Sequence, residues 1–142
     1  MYCDAPGCGP GVCAPVTAID DGNKVPVCGC DGVDYWNAAT ASDHGMAVSS
    51  SGMCPTATFC GGFGNLPCPS NAHFCAFDVG IPSGCNISDA GGACWGMPKT
   101  CNTLGFGGQY RACFQPSGPC LYECEAIKSA QTYWGPDNTC PQ

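Results

Sequence analysis

Pro26-Val27-Cys28-Gly29-Cys30-Asp31-Gly32-Val33-Asp34-Tyr35-Trp36-Asn37 is the stretch on which the reading of this chain turns. It sets two cysteines one residue apart, then an Asp-Gly pair, then two aromatic side chains. Cys28 and Cys30 belong to a set of 16 cysteines in 142 residues. That density exceeds the ~8–10 % that marks a disulfide scaffold. The number is even, so complete pairing is open to the chain. With 21 glycines and 13 prolines the backbone breaks continually, which excludes long helices and strands. Leu and Ile are sparse, so apolar burial is thin. Such a domain needs staples, each contributing ~2–4 kcal/mol by constraining the unfolded chain.

A bridge density of this kind persists only in an oxidising compartment, so the protein is expected to be secreted, surface-bound or periplasmic, with the extracellular space or cell surface as the leading expectation. Met1-Tyr2-Cys3 has neither a basic start nor an apolar run, so a signal has been removed or the chain is a segment of something longer. No stretch approaches the ~18 apolar residues of a membrane span. The net charge is -7, and Lys24, Lys99, Lys128 and Arg111 are the only cations besides the two histidines. That excludes the basic footprint nucleic acid requires and disfavours an anionic membrane surface. Only 11 % of residues are charged. A surface so weakly charged and rich in Gly, Ala, Ser and Thr is open to close packing against other copies or to glycan decoration.

The cysteines divide into six before Pro55-Thr56-Ala57-Thr58-Phe59 and ten after it, so each half can pair internally. The halves end alike. Tyr35-Trp36-Asn37-Ala38-Ala39 leads to Gly45, Met46-Ala47-Val48 and Gly52-Met53-Cys54; Tyr122-Glu123-Cys124 leads to Thr132-Tyr133-Trp134 and Cys140. Both read as a short helix, a turn, a short strand and a closing cysteine. Gly45 stops the first helix. Glu123 and Glu125 sit in the first turn of the second, with Lys128 after them, as the helix dipole favours. The second half carries an additional run of short loops between Cys60 and Cys94. The expected division is therefore 1–54, a linker at 55–59, a cysteine-rich loop segment at 60–94, and a second helix-bearing module at 95–142.

The opening stretch resembles the Kazal domain, whose pattern is P-V-C-G-x-D-G-x-T-Y-x-N-x-C, then a helix, a G-V-x-V strand and a final G-x-C. Gly45-Met46-Ala47-Val48 and Gly52-Met53-Cys54 match that tail. The resemblance covers about residues 8–54 and, more loosely, 94–140. Cys60-Gly61-Gly62, Pro67-Cys68-Pro69 and Cys75 resemble the cysteine-rich segment that precedes Kazal-like domains in some secreted bacterial proteins. The fold this implies is small and disulfide-rich: two Kazal-like modules, each a short helix plus short antiparallel strands and long loops. The implied bridges are Cys28–Cys54 and Cys113–Cys140 as one family pair and Cys101–Cys124 as another. The first-module equivalent of the latter would join Cys13 to position 39, which is alanine, and Cys30 is the nearest spare thiol, so Cys13–Cys30 is expected.

Kazal domains are best known as serine-protease inhibitors, with the binding loop after the second family cysteine. That cysteine corresponds to Cys13 or Cys101, and the loop residues to Pro15 and Val16 or Thr103 and Leu104. Here 14 residues separate Cys13 from Cys28, and 11 separate Cys101 from Cys113. Both loops exceed the template, and slack costs affinity where binding relies on a preorganised loop. Pro15 fits a protease specificity pocket badly. The resemblance therefore implies the fold more strongly than inhibition.

Other chemistry finds little support. His44 and His73 are the only histidines, and no serine lies in a G-x-S-x-G elbow, so no hydrolase is expected. Cys28-Gly29-Cys30, or His73 with Cys75, has the look of a metal clip, but disulfides are the ordinary use of cysteine in so dense a chain. Asp20-Asp21 and Asp31/Asp34 are oxygen ligands without EF-hand spacing, and solvated turns are their ordinary use. No metal or cofactor is expected. Asn86-Ile87-Ser88 is an N-glycosylation sequon. Tyr35, Trp36, Trp95, Tyr133 and Trp134 are either a binding patch or packing for the disulfides. Phe59, Phe63, Leu66 and Phe106 lie in glycine-rich loops that cannot bury them locally, which marks them for contact between copies. The function expected is that of a secreted structural or interaction protein, such as a subunit of an extracellular fibre or surface assembly. The partners expected are other copies of the chain or, as the alternative, a secreted protease.

Overall fold

The computed structural model describes residues 2–16, 19–87, 89–102 and 108–140. Thr103, Leu104 and Phe106 lie outside the described residues. Among the described residues there are eleven short strands and two six-residue helices, so the protein is small, disulfide-rich and mainly strand.

Strands β1 (Tyr2–Asp4) and β2 (Val12–Ala14) form an antiparallel ribbon with Cys3 directly opposite Cys13. Six further strands make the largest sheet: β3 (Val27–Gly29), β4 (Asp34–Tyr35), β5 (Val48–Ser51), β6 (Phe59–Gly61), β7 (His73–Ala76) and β8 (Gly91–Gly96). Their order is β5-β3-β4-β8-β6, with β7 also paired to β8. A third sheet, in the order β10-β9-β11, holds β9 (Gln109–Ala112), β10 (Leu121–Tyr122) and β11 (Tyr133–Trp134). Helix α1 spans Ala38–Asp43 and α2 spans Glu123–Lys128.

Helices this short are not stable alone and depend on caps and packing. Asn37 caps α1, its side-chain oxygen accepting from Thr40 N at 2.7 Å, and the chain leaves the helix through Gly45 in the left-handed region (φ +72°). Helix α2 has no side-chain cap; Glu123 and Glu125 occupy its first turn and Lys128 its last. Lys128 Nζ also donates to the carbonyls of Pro98 and Lys99, at 2.9 and 2.8 Å, which ties the helix end to the chain after β8.

The halves meet where β4 lies parallel to β8, with Asp34 opposite Trp95 and Tyr35 opposite Gly96. Trp36 N continues the pairing to Gly96 O at 3.0 Å. One core cluster spans the join, combining Trp36 with Trp95, Met97, Cys124, Ala126, Ile127 and Tyr133. A second gathers Val27, Val33, Tyr35, Ala41, Cys60 and Cys94. Tyr35, Trp36, Trp95, Tyr133 and Trp134 are all buried, so these aromatics are packing material.

All 16 cysteines are paired. Cys28 is bonded to Cys54 and Cys101 to Cys124. Two pairings implied by the resemblance are corrected. Cys13 is bonded to Cys3, because the β1–β2 ribbon sets the two face to face, and Cys30 is bonded to Cys8 at the ribbon's turn. Cys113, at the end of β9, is bonded to Cys85; Cys140 closes onto Cys120. Cys3, Cys8, Cys85 and Cys120 have no place in the two implied family bridges, and each takes a partner they would have used. The remaining bridges are Cys60–Cys75 and Cys68–Cys94. Cys85–Cys113 links the 60–94 segment to the chain after it.

Candidate functional site

An open groove of about 710 Å³ gathers both histidines of the chain. Tyr35 lines it. Gly96, opposite Tyr35 on β8, and Gly29, on β3, leave the slot its ring fills: a Cβ at either position would collide with that ring. The Tyr35 hydroxyl stands 2.7 Å from Asp31 Oδ2 and 3.0 Å from His73 Nε2. Asp31 is held by its turn, its Oδ1 accepting from Val33 N at 3.1 Å. Burial first, then the Asp31 hydrogen bond and charge, push the tyrosine hydroxyl far above its ordinary titration range.

His73 comes from β7, where it sits opposite Gly96. His44 comes from the end of α1, its Nε2 3.1 Å from Met97 O. The two imidazoles stack with centroids 6.1 Å apart and 23° between their planes, and both meet Tyr35 edge-on. His73 Nδ1 is buried with no hydrogen-bond partner. Burial holds His73 below the ordinary imidazole range; Asp31 acts against that and His44 with it. Asp43, Lys99 and Lys128 also line the groove. Nothing adjacent in the sequence announces this cluster, since Tyr35 and His73 are 38 positions apart.

The other residues singled out from the sequence fall into separate places. Asp20 accepts from Gly22 N and Asn37 Nδ2 through Oδ1, at 2.9 and 2.8 Å, and from the Thr40 hydroxyl through Oδ2 at 2.5 Å. Asn37 Nδ2 also donates to Asn23 O at 3.0 Å, so the end of the loop after Cys13 is pinned to α1. Asp21 accepts from Asn23. Asp34 is buried, with Oδ1 taking Cys54 N at 2.6 Å and Oδ2 unpartnered. These carboxylates serve turns, caps and strand ends, and no shared cation site forms among them in the described residues. The sulfurs of Cys60, Cys68 and Cys94 crowd within 4.8 Å, but all are in disulfides, and it is the thiolate that ligates a metal. Cys28 and Cys30 are likewise both oxidised.

Pro15 is exposed and Val16 half-buried. Ile19, further along that loop, is 93 % exposed. Asn86 is exposed at the end of a 3-10 turn spanning Pro82–Asn86; Ser88 of its sequon lies outside the described residues. Phe59 and Leu66 are about half exposed and Phe63 is 92 % exposed. The sequence reading did not single out Phe114, 77 % exposed, or Ile87; both border a shallow hollow with Phe63. It also missed Arg111 as a clamp. The guanidinium donates to Asp137 Oδ2 at 2.9 Å, to the carbonyls of Pro116 and Gly118 at 3.0 and 2.7 Å, and to the Thr139 hydroxyl at 3.1 Å.

No family model, curated protein or solved structure matches the chain. No helix among the described residues is long and apolar enough to cross a membrane. Eight disulfides with no free thiol are consistent with an extracellular protein.

Proposed function

We propose that the chain is a secreted structural or interaction protein of Kazal-like ancestry that associates with further copies of itself in an extracellular assembly. The observation that carries this reading is the exposure of three large apolar side chains, Phe63, Ile87 and Phe114, around one hollow. Large side chains of this kind stand in solvent on a frame too heavily stapled to fold over them. Large apolar side chains gathered in solvent in one place are suited to contact with another surface. Among the described residues Asp89 is the one charged residue bordering the hollow, so the face offers little electrostatic resistance to a second copy. This face and the groove that holds His44 and His73 are built from different residues, and contacts between unlike faces build open filaments whenever the rotation does not close. The net charge of -7 is screened at physiological salt, where the Debye length is ~8 Å. Sedimentation velocity of the oxidised protein over a hundredfold concentration range tests the reading. Association that weakens in Phe63→Ser and Phe114→Ser is expected; a monomer at every concentration rules the assembly out.

The alternative is serine-protease inhibition. Exposed Ile19 favours it, beside a loop end that Asn37 pins to α1. Titration against chymotrypsin- and elastase-like proteases separates the readings: stoichiometric inhibition at nanomolar concentration would put the inhibitor first, and the assembly reading expects none below micromolar.

A further inference from the structure

Every disulfide lies either within residues 3–54 or within residues 60–140. The two segments are therefore joined covalently only through the backbone between Cys54 and Cys60, and their packing is otherwise noncovalent. The groove lies on that join. Asp31, Tyr35 and His44 reach it from the first segment and His73 from the second.

We infer that the stacked pair His44 and His73 is an acid-sensitive latch across this join, closed while the His73 ring is neutral and released when it takes up a proton. The Tyr35 hydroxyl has one proton, and the charged Asp31 oxygen at 2.7 Å is its stronger acceptor. Tyr35 is then left to accept from His73 Nε2, which fixes the neutral imidazole with its proton on Nε2 and a lone pair on Nδ1. A second proton must enter at Nδ1. That atom has no hydrogen-bond partner, and the side chain is only 5 % exposed. Protonation therefore creates a buried donor without an acceptor and a charge stacked against the His44 ring.

The charged groups facing the pair come from every element around it. Asp31, 3.7 Å from Nε2, and Asp43 on α1 favour the cation; Lys99, after β8, and Lys128, on α2, oppose it. Burial outweighs Asp31, so the closed latch holds His73 neutral below the pH at which a free imidazole protonates. A ring released to water binds its proton at about the ordinary value of 6.5. Proton uptake thus favours the open form, and the closed form loses stability as the pH falls through and below that value. The disulfides persist in acid, so each segment keeps its own frame while the β4–β8 join loosens.

The test follows the imidazole resonances and tryptophan fluorescence of the oxidised full chain from pH 8 to pH 4, with amide exchange read at Tyr35, Trp36, Trp95 and Gly96. The expected result is one shared midpoint, below 6.5, for His73 protonation, the fluorescence change and the loss of exchange protection at those four amides. His73→Gln, which retains a donor toward Tyr35 and cannot take up the proton, should abolish the transition. A join still protected at pH 4, His73 titrating without any change at the join, or the same transition in His73→Gln would overturn the latch. Should that variant not fold, the coincidence of midpoints in the unmodified chain decides alone.

Discussion

The indole of Trp36 meets that of Trp95 edge-on, with centroids 5.8 Å apart and planes at 69°, and this contact joins two segments that no disulfide connects. Lys24 covers the pair, its ammonium 5.0 and 5.2 Å from the two rings, and reaches Glu123 at 2.7 Å. Trp36 Nε1 donates to Gly22 O at 2.9 Å, so the ring is also tied to its own segment. The Lys24–Glu123 pair is about one-third exposed and adds little; the buried aromatic area carries the join.

Trp36→Ala should therefore cost about 3–5 kcal/mol, the range for emptying a large aromatic site. The loss should be selective. Amide exchange should rise first at β4 and β8, while the amides around Cys113 and Cys140 stay protected. Uniform loss of protection across the chain would show that the join is no weaker than the segments it connects.

Arg111→Ala should destabilise the C-terminal sheet by about 3 kcal/mol, since it leaves the buried Asp137 carboxylate without its cation. The pH dependence has a definite sign. Burial alone would raise the Asp137 carboxyl, but Thr139 and Arg111 outweigh it and hold it below its ordinary value of 3.8. A depressed carboxylate contributes stability above that value and loses it as the pH falls below. Thermal midpoints measured from pH 5 down to pH 2 should fall for the natural chain and less steeply for Arg111→Ala.

Asp34 behaves in the opposite sense. Burial raises its carboxyl above 3.8, against the Cys54 amide and Lys24, and Oδ2 has no partner. The native state therefore favours the protonated acid, and the ionised form costs stability as the pH rises. Asp34→Asn removes a buried charge while retaining an acceptor for Cys54 N. It should raise the thermal midpoint at pH 7 and lose that advantage toward pH 3. A variant less stable at pH 7 would show that the carboxylate is better accommodated than its unpaired oxygen indicates.

Composition already carried the broad class of fold: cysteine, glycine and proline content dictate a stapled, loop-rich chain with short elements. Local chemistry was legible too. Gly45 ends α1, and Glu123, Glu125 and Lys128 lie on α2 where the helix dipole favours them. Pairing was legible only in part. Cys13 and Cys30 depend on a ribbon and a turn that bring Cys3 and Cys8 to them, and neither contact has a signature in cysteine spacing. The groove was hidden for the same reason. Its members lie on β4, β7, a turn and the end of α1, and only the parallel pairing of β4 with β8 brings them together. Phe63 could be read as exposed because its glycine-rich loop has nothing to cover it, whereas Phe114 follows directly on Cys113 with no such loop to mark it.

The whole account rests on the bridges: the oxidising compartment, the rigid frame that presents Phe63, and the unstapled join all follow from them. Peptic digestion of the native, unreduced protein, at a pH where disulfides do not exchange, followed by mass spectrometry of the linked peptides, tests them directly. The predicted result is eight pairs, including Cys3–Cys13, Cys8–Cys30, Cys85–Cys113 and Cys120–Cys140, with no peptide ending at or before Cys54 linked to one beginning at or after Cys60. A Cys13–Cys30 peptide, or any bridge between the two segments, would contradict it.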